Sequence, residues 1–415
     1  MNFGIKFRLS LMMFLEFFIW GAWFVTLGTF LGTNLQATGS QTGAAFSTQS
    51  FGAIIAPFII GLIADRYFNA EKILGLLHLS GAVLMYLMYQ STDFGSFYPL
   101  VFTYMVLYMP TLALVNSVSF NQMKDPEKEF SPIRVWGTIG WITAGLAISY
   151  LFYWDSADNM ASGMLKNTFL MASIASLVLG LFSFSLPNTP PKAKKGEKVS
   201  LSTLLGLDAL KMLKDRNFAV FFVSSILICI PLAFYYQNAN PFLAEIGVSD
   251  PTGKMTIGQI SEALFLLLLP MFFSRFGFKK TLLAGMIAWV IRYALFAIGD
   301  AEGGLFLLII GIALHGLCYD FFFVAGQIYT NSKAGVQFRS SAQGLITLAT
   351  YGVGMLIGFA IAGEVSDLYL GVDGLHDWKS IWMIPSGIAV LAVLFFFFLF
   401  RENKIVPPFK EKGVG

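Results

Sequence analysis

Twelve long apolar runs recur along this chain, and they limit its fold more than any motif does. They fall at 9–31, 43–64, 72–90, 97–120, 132–153, 167–186, 218–243, 256–276, 281–299, 303–329, 341–365 and 380–400. A helix that crosses a bilayer needs about 20 predominantly apolar residues. Inside hydrocarbon every backbone N–H and C=O must be satisfied within the protein, so only helices and closed barrels span it. These runs are longer than barrel strands and do not alternate apolar with polar residues. The predicted fold class is therefore all-α, a membrane protein of twelve transmembrane helices. Composition agrees, since 12% of the residues are charged against about 25% in ordinary globular chains. A net charge of +3 is too small to mark a nucleic-acid binder. Cys229 and Cys318 both lie in apolar runs, which suits packing rather than a disulfide, and no metal-ligand spacing is present. The first run is too long for a signal peptide and no small-residue cleavage pattern follows it, so it reads as an uncleaved first span.

Lys and Arg set the orientation. Basic residues precede the first span, follow each even-numbered span and close the chain. They include Lys6, Arg8, Arg66, Lys124, Lys195, Arg216, Arg275, Lys333, Arg339 and Arg401, whereas the opposite loops hold Lys166, Lys254 and Lys379. By the positive-inside rule both termini are cytoplasmic. The polar, proline-rich stretch "PNTPPKAKKGEKVS" (187–200) divides the spans six and six. The expected organisation is an N-terminal six-helix half at 1–186, a cytoplasmic linker at 187–217, a C-terminal half at 218–401 and a tail at 402–415. Within the linker, "LSTLLGLDALKMLKD" has helical apolar spacing and basic residues, as expected of an amphipathic helix on the inner membrane face. The alternative is a linker helix packed on neighbouring loops. "ADRYFNAEKILG" after span two and "FSRFGFKKTLLAG" after span eight occupy matching places in the two halves. "GLIADR" resembles the Gly-x-x-x-Asp-Arg loop of the major facilitator superfamily, which implies a fold of two six-helix halves and a midplane substrate site between halves that rock.

Charges inside spans are functional candidates by default, because each costs roughly 2.5–3.5 kcal/mol to place at the bilayer centre. Glu16, Arg134, Glu262, Arg292 and Asp320 stand in or at the ends of spans. Gln259 and Glu262 are three residues apart and share one helix face, which suits a hydroxyl-rich ligand, or a polar contact between helices. Arg134, Thr138 and Trp141 lie on one stripe and offer a guanidinium, a hydroxyl and an aromatic face. An interfacial arginine that reaches for headgroups would explain Arg134 too. His315 and Asp320 are about 140° apart around a helix and do not pair along one face. Arg292 could neutralise Glu262 or Asp320, or form a structural ion pair. Glu16, Trp20 and Trp23 share a face, as a ligand-stacking surface or an aromatic belt. Burial raises a carboxylate pKa and a nearby arginine lowers it, so Asp320 and Glu262 are the proton-coupling candidates. No nucleophile–base pair, cofactor loop or metal cluster is readable, so an enzyme or receptor is poorly supported.

Several stretches are specific rather than generic apolar text: "IWGAWFVTLG", "MPTLALVNSVSF", "PIRVWGTIGW", "STLLGLDAL", "GQISEALF", "RYALFAIGD", "CYDFFF" and "SSAQGL". Through them the chain resembles, nearly end to end, the bacterial nucleoside:proton symporters of the major facilitator superfamily. The resemblance implies a carrier, not an enzyme, in the bacterial cytoplasmic membrane. It would import nucleosides with protons by alternating access, as a monomer, with no nucleic-acid partner and no cofactor beyond the coupling proton. It implies ligand contacts from Arg134, Thr138, Trp141, Gln259, Glu262, Tyr319 and Asp320, with Asp320 tied to proton coupling. Anchored on "NPFL" (240–243), two amide side chains of enterobacterial members are replaced here by Ala233 and Tyr236, and the nearby Gln237 and Asn238 are the expected substitutes from another angle. Trp141 stands where those members have Phe, and Glu16 where they have Gln. "RVWGTIGW" also looks like the lactose-permease pattern of an Arg with a Trp seven residues later, so a proton-coupled sugar symporter is the alternative.

Overall fold

Hydrocarbon leaves the backbone no partner but itself, and the structure, a computed structural model describing residues 2–59, 68–191 and 207–401, is accordingly helical almost throughout. The principal helices are α1 (Phe3–Gly21), α2 (Leu27–Leu35), α3 (Gly39–Ile59), α4 (Ala70–Gln90), α5 (Phe94–Asn121), α6 (Ser131–Leu146), α7 (Asn167–Ser183), α8 (Arg216–Glu245), α9 (Pro251–Ile298), α10 (Leu305–Tyr319), α11 (Ala325–Thr347), α12 (Met355–Leu368) and α13 (Trp378–Leu399). Among the described residues, eight helical stretches are long and apolar enough to cross a membrane. "GLIADR" (61–66) lies outside the described residues.

The described part of each expected span falls on helix, with four differences of detail. The first span is two helices, because the chain turns at 22–26, where Thr26 Oγ1 donates to the Trp23 carbonyl at 3.2 Å. Spans eight and nine are one helical stretch broken at Gly277, whose φ of 77° is the left-handed value that glycine tolerates. The short basic connection expected between spans ten and eleven is helical too, within α11. The described part of the expected amphipathic helix, Leu207–Lys214, is a 3₁₀ helix packed on α8 and α11, and 201–206 lie outside the described residues.

The chain forms two compact units: Met1–Leu204 with Ser249–Thr256, and Leu205–Val248 with Ile257–Gly415. Ser249–Thr256 joins the first unit because Asp155 Oδ2 accepts from Thr252 N at 2.9 Å and from Ser149 Oγ at 2.6 Å, while Ser149 Oγ accepts from Gly253 N at 2.7 Å. Those bonds satisfy orphan N–H groups at the start of α9.

In the first unit α1 packs on α6 and α7, α4 on α5 and α7, and α3 on α5. The α1–α6 approach is backbone to backbone: a Cβ at Gly140 would lie 2.1 Å from the Phe14 carbonyl oxygen. Small residues allow this in membranes, where helix association depends on close packing rather than water exclusion. In the second unit α8 packs on α12 and α13.

Candidate functional site

The first unit contributes the Arg134 stripe. Arg134, Thr138 and Trp141 are all half-buried on α6. The Arg134 guanidinium lies 4.1 Å from the centroid of the Phe17 ring on α1, a cation–π contact rather than a headgroup reach. Trp141 meets Trp20 edge to face at 5.5 Å, and Trp20 meets Tyr108 at 5.6 Å. The three aromatics form a continuous wall. Trp23 is fully buried against Tyr104 and Phe169. Trp23 is thus interior packing, while the half-buried Trp20 belongs to the wall.

Glu16 does not share that wall. It is 0% exposed, and its Oε2 lies 2.8 Å from His78 Nε2 on α4. Thr111 Oγ1 donates to Glu16 Oε1 at 2.5 Å, and Tyr108 OH donates to the Glu16 carbonyl at 2.8 Å. The other ring nitrogen of His78 lies 3.2 Å from Ser176 Oγ. Sequence reading passed over His78; its only signal was a histidine in the middle of an apolar span.

The second unit gathers the remaining candidates. A Cβ at Gly316 would lie 2.4 Å from the Ser261 carbonyl carbon, and Gly316 N donates to Ser261 Oγ at 3.0 Å. That contact fixes α10 against α9 at the turn carrying Gln259 and Glu262, both half-buried. Tyr319 and Asp320 follow at once on α10. Glu262 is an electrostatic neighbour of Asp320, Tyr319 and Tyr236. Tyr319 OH lies 2.6 Å from Tyr351 OH, a partner the sequence reading did not single out.

Asp320 opens a π-helical turn, Asp320–Val324. Such turns concentrate at functional sites, since one extra residue re-aims a side chain without ending the helix. Asp320 is 1% exposed, and neither carboxylate oxygen has a hydrogen-bond partner among the described residues. A buried carboxylate without a partner is costly when ionised, so the geometry suits a group that takes up a proton.

One expectation needs correction, and Arg292 makes a structural contact, the kind of role left open for it above. Gln237 is buried, and in the amide orientation that satisfies both ends it donates to Phe359 O and accepts from Gly363 N, each at 3.3 Å. It fastens α8 to the backbone of α12 instead of joining Gln259 and Glu262. Ala233 sits where a Cβ at Gly358 would approach within 2.6 Å, so a longer side chain would not fit there. Arg292 is fully buried, donates to His315 Nδ1 at 2.9 Å and stacks 3.5 Å from the Tyr235 ring centroid. It braces His315 rather than neutralising Asp320. Among the described residues no group of three or more metal-ligating side chains converges.

Comparison with known proteins identifies the family. The model of the Nucleoside H+ symporter family matches residues 3–405. The chain is 44% identical to the putative nucleoside transporter YegT of Escherichia coli (strain K12), over 95% of this chain and 94% of that one. It is 35% identical to the xanthosine permease of the same organism, over 99% of each. The crystal structure of the nucleoside transporter NupG superposes with a TM-score of 0.85 at 32% identity, covering 97% of this chain and 100% of that one. The fold is the major facilitator type, and the protein is a multi-pass carrier of a bacterial inner membrane. From the matched family model and from relatives of this identity and coverage, the chain belongs to the nucleoside H+ symporter family.

Proposed function

We propose that this protein imports nucleosides together with protons by alternating access, and that Asp320 carries the coupling proton. One observation supports the assignment above the rest: Asp320 is a buried carboxylate whose two oxygens have no hydrogen-bond partner among the described residues, beside a second carboxyl group, Glu262. Two nearby carboxyl groups in an apolar setting favour holding a proton between them. Protonation removes the buried charge, and a neutral, loaded carrier reorients at lower cost than a charged one.

Each unit offers one ligand face. Trp141 supplies a ring for stacking on a base, with Thr138 and Arg134 as hydrogen-bond donors. Gln259 and Glu262 supply acceptors and donors for ribose hydroxyls, and Tyr319 stands beside them. Gln237 has no ligand role in this reading, because its amide is committed to α12. The basic loops support cytoplasmic termini, and the protein acts as a monomer.

The test is Asp320→Asn in reconstituted vesicles. The amide keeps hydrogen-bonding capacity but cannot gain and lose a proton. Nucleoside binding and downhill exchange should persist while uphill, proton-driven uptake disappears. Concentrative uptake at the parent's rate under an inward proton gradient would overturn the assignment.

A further inference from the structure

The first unit holds a titratable cluster that the coupling role of Asp320 does not use. Glu16 and His78 are 0% and 1% exposed and meet at 2.8 Å. Every polar atom of the pair has a partner when it carries one shared proton. His78 Nδ1–H donates to Ser176 Oγ at 3.2 Å, and Ser176 Oγ–H donates to the His78 carbonyl at 2.9 Å. The shared proton occupies the Nε2···Oε2 contact, and Thr111 Oγ1–H points at Glu16 Oε1 at 2.5 Å. The loaded pair is neutral overall, whether written as a carboxylic acid with imidazole or as a carboxylate with imidazolium.

Loss of that proton has a visible structural consequence. The carboxylate would draw the remaining ring hydrogen onto Nε2, leaving the Nδ1 lone pair facing Ser176 Oγ. The Ser176 hydroxyl would then turn from the His78 carbonyl to donate to Nδ1. Ser176 Oγ therefore has two acceptors in reach, one suited to each protonation state, while Thr111 Oγ1, which also lies 2.6 Å from the Tyr108 carbonyl, can keep donating to Glu16 in both.

We propose that Glu16 and His78 form a second proton-binding site, in the first unit, whose shared proton is exchanged during the transport cycle. Only N–H and O–H bonds form and break, with the proton entering from one aqueous side and leaving to the other. This rests on the proton-coupled reading above. The titratable and charged groups facing the pair are Tyr104 and Tyr108 of α5, which feel the Glu16 charge, and Arg134 of α6, which acts on Tyr108. α7 contributes the neutral Ser176. The link to the ligand wall is Tyr108, whose hydroxyl holds the Glu16 carbonyl while its ring packs on Trp20, next to Trp141. A change of charge at the pair is thereby two side chains away from the proposed base-stacking face. In the conformation described the pair is sealed from water, so its proton is held until the unit changes state.

The chain contains only three histidines, His78, His315 and His376, which makes ring-nitrogen NMR practical on the full protein in nanodiscs. The His78 signal is assigned by its absence in His78→Gln, or by elimination with His315→Gln and His376→Gln if that variant does not fold. The expected result is a reversible, pH-dependent change at the His78 ring nitrogens, either a ring proton lost or the remaining one moved from Nδ1 to Nε2, that responds to added uridine or inosine. In Glu16→Gln, that change should be absent. The charge moved per nucleoside in reconstituted vesicles should fall about twofold, as expected when one of two proton sites is silenced. A His78 ring that keeps one protonation and tautomeric state throughout, with and without nucleoside, would overturn the proposal and leave a fixed structural bridge. So would Glu16→Gln transport with unchanged charge per nucleoside. The ligand-free titration judges the site even if the nucleoside reading fails, so the two failures are distinguishable.

Discussion

Gly316→Ala is the sharpest probe of how the second unit builds its ligand face. A methyl group at this position would lie 2.4 Å from the Ser261 carbonyl carbon and 2.5 Å from both Glu262 N and Ser261 O. Unstrained carbon contacts sit at about 3.5–4.0 Å, so α9 and α10 must part by roughly 1 Å at this turn. Overpacking of this kind costs about 1–3 kcal/mol. Weakening the Gly316 N to Ser261 Oγ bond adds about 1 kcal/mol, and the better helix propensity of alanine returns about the same. The net expectation is a destabilisation of about 1–3 kcal/mol. Binding should suffer more than stability does, because Gln259, Glu262 and Asp320 are positioned across this one contact. A displacement of about 1 Å can cost as much as a hundredfold where groups must converge, and we expect nucleoside binding at least about tenfold weaker. The assays are thermal unfolding of the purified protein and calorimetric titration with nucleoside. Gly387→Ala is the control, since a Cβ there meets nothing within 4 Å. If Gly316→Ala melts and binds like the parent and the control, the backbone contact does not position the site and the reasoning fails.

Trp141→Ala should weaken nucleoside binding by roughly 1–3 kcal/mol, the value of one base–aromatic stack, while Trp141→Phe should retain most of it. Equal binding by the Ala variant in calorimetry would remove Trp141 from the ligand face. Gln237→Ala should lower the melting temperature, through loss of two buried hydrogen bonds worth about 1 kcal/mol each, yet leave the order of preference among nucleosides unchanged in competition assays. Asp377 caps α13, accepting from Ser380 N at 3.2 Å and from Ser380 Oγ at 2.5 Å. Those bonds hold its carboxyl below the usual carboxylate range. Its contribution is therefore fully present above the ordinary aspartate pKa and is lost as pH falls through the lowered value. Acid melts of Asp377→Ala should show less loss below about pH 4 than the parent, and identical acid profiles would count against the cap.

The sequence carried the spans well because each is a long apolar run, and that signal survives any uncertainty about packing. It carried the basic connection between spans eight and nine, but not that the helix runs on through it with a single break at Gly277. It carried the Gln259–Glu262 face because a three-residue spacing is local. What failed was tertiary. Gln237 stands beside Asn238 and close to Asn240, and nothing local tells which of these polar groups finds a backbone partner on α12. The Glu16–His78 contact joins residues 62 apart, and nothing in either segment points to the other. Arg292 offered two carboxylates as partners on charge alone, but a histidine 23 residues away took the contact. The π-helical turns were equally silent, because one extra residue in a uniformly apolar run leaves the hydropathy pattern unchanged.

That extra residue has a consequence for how span ten tolerates change. Inserting one residue rotates everything after it by about 100° relative to an unbroken α-helix. The stretch before the π turn, with His315 and Gly316, and the stretch after it, with Gly326 and Tyr329, therefore keep two independent phases. The first is locked to α9 through Ser261; the second is locked to α8, where Phe221 meets Tyr329 at 5.1 Å. Asp320 stands at the seam. A one-residue deletion within Asp320–Val324 would heal the helix and force a single phase on both segments. One of the two seats would then be lost although no apolar residue had become polar. Such a deletion should be worse tolerated than any single substitution in the same turn other than at Asp320 itself.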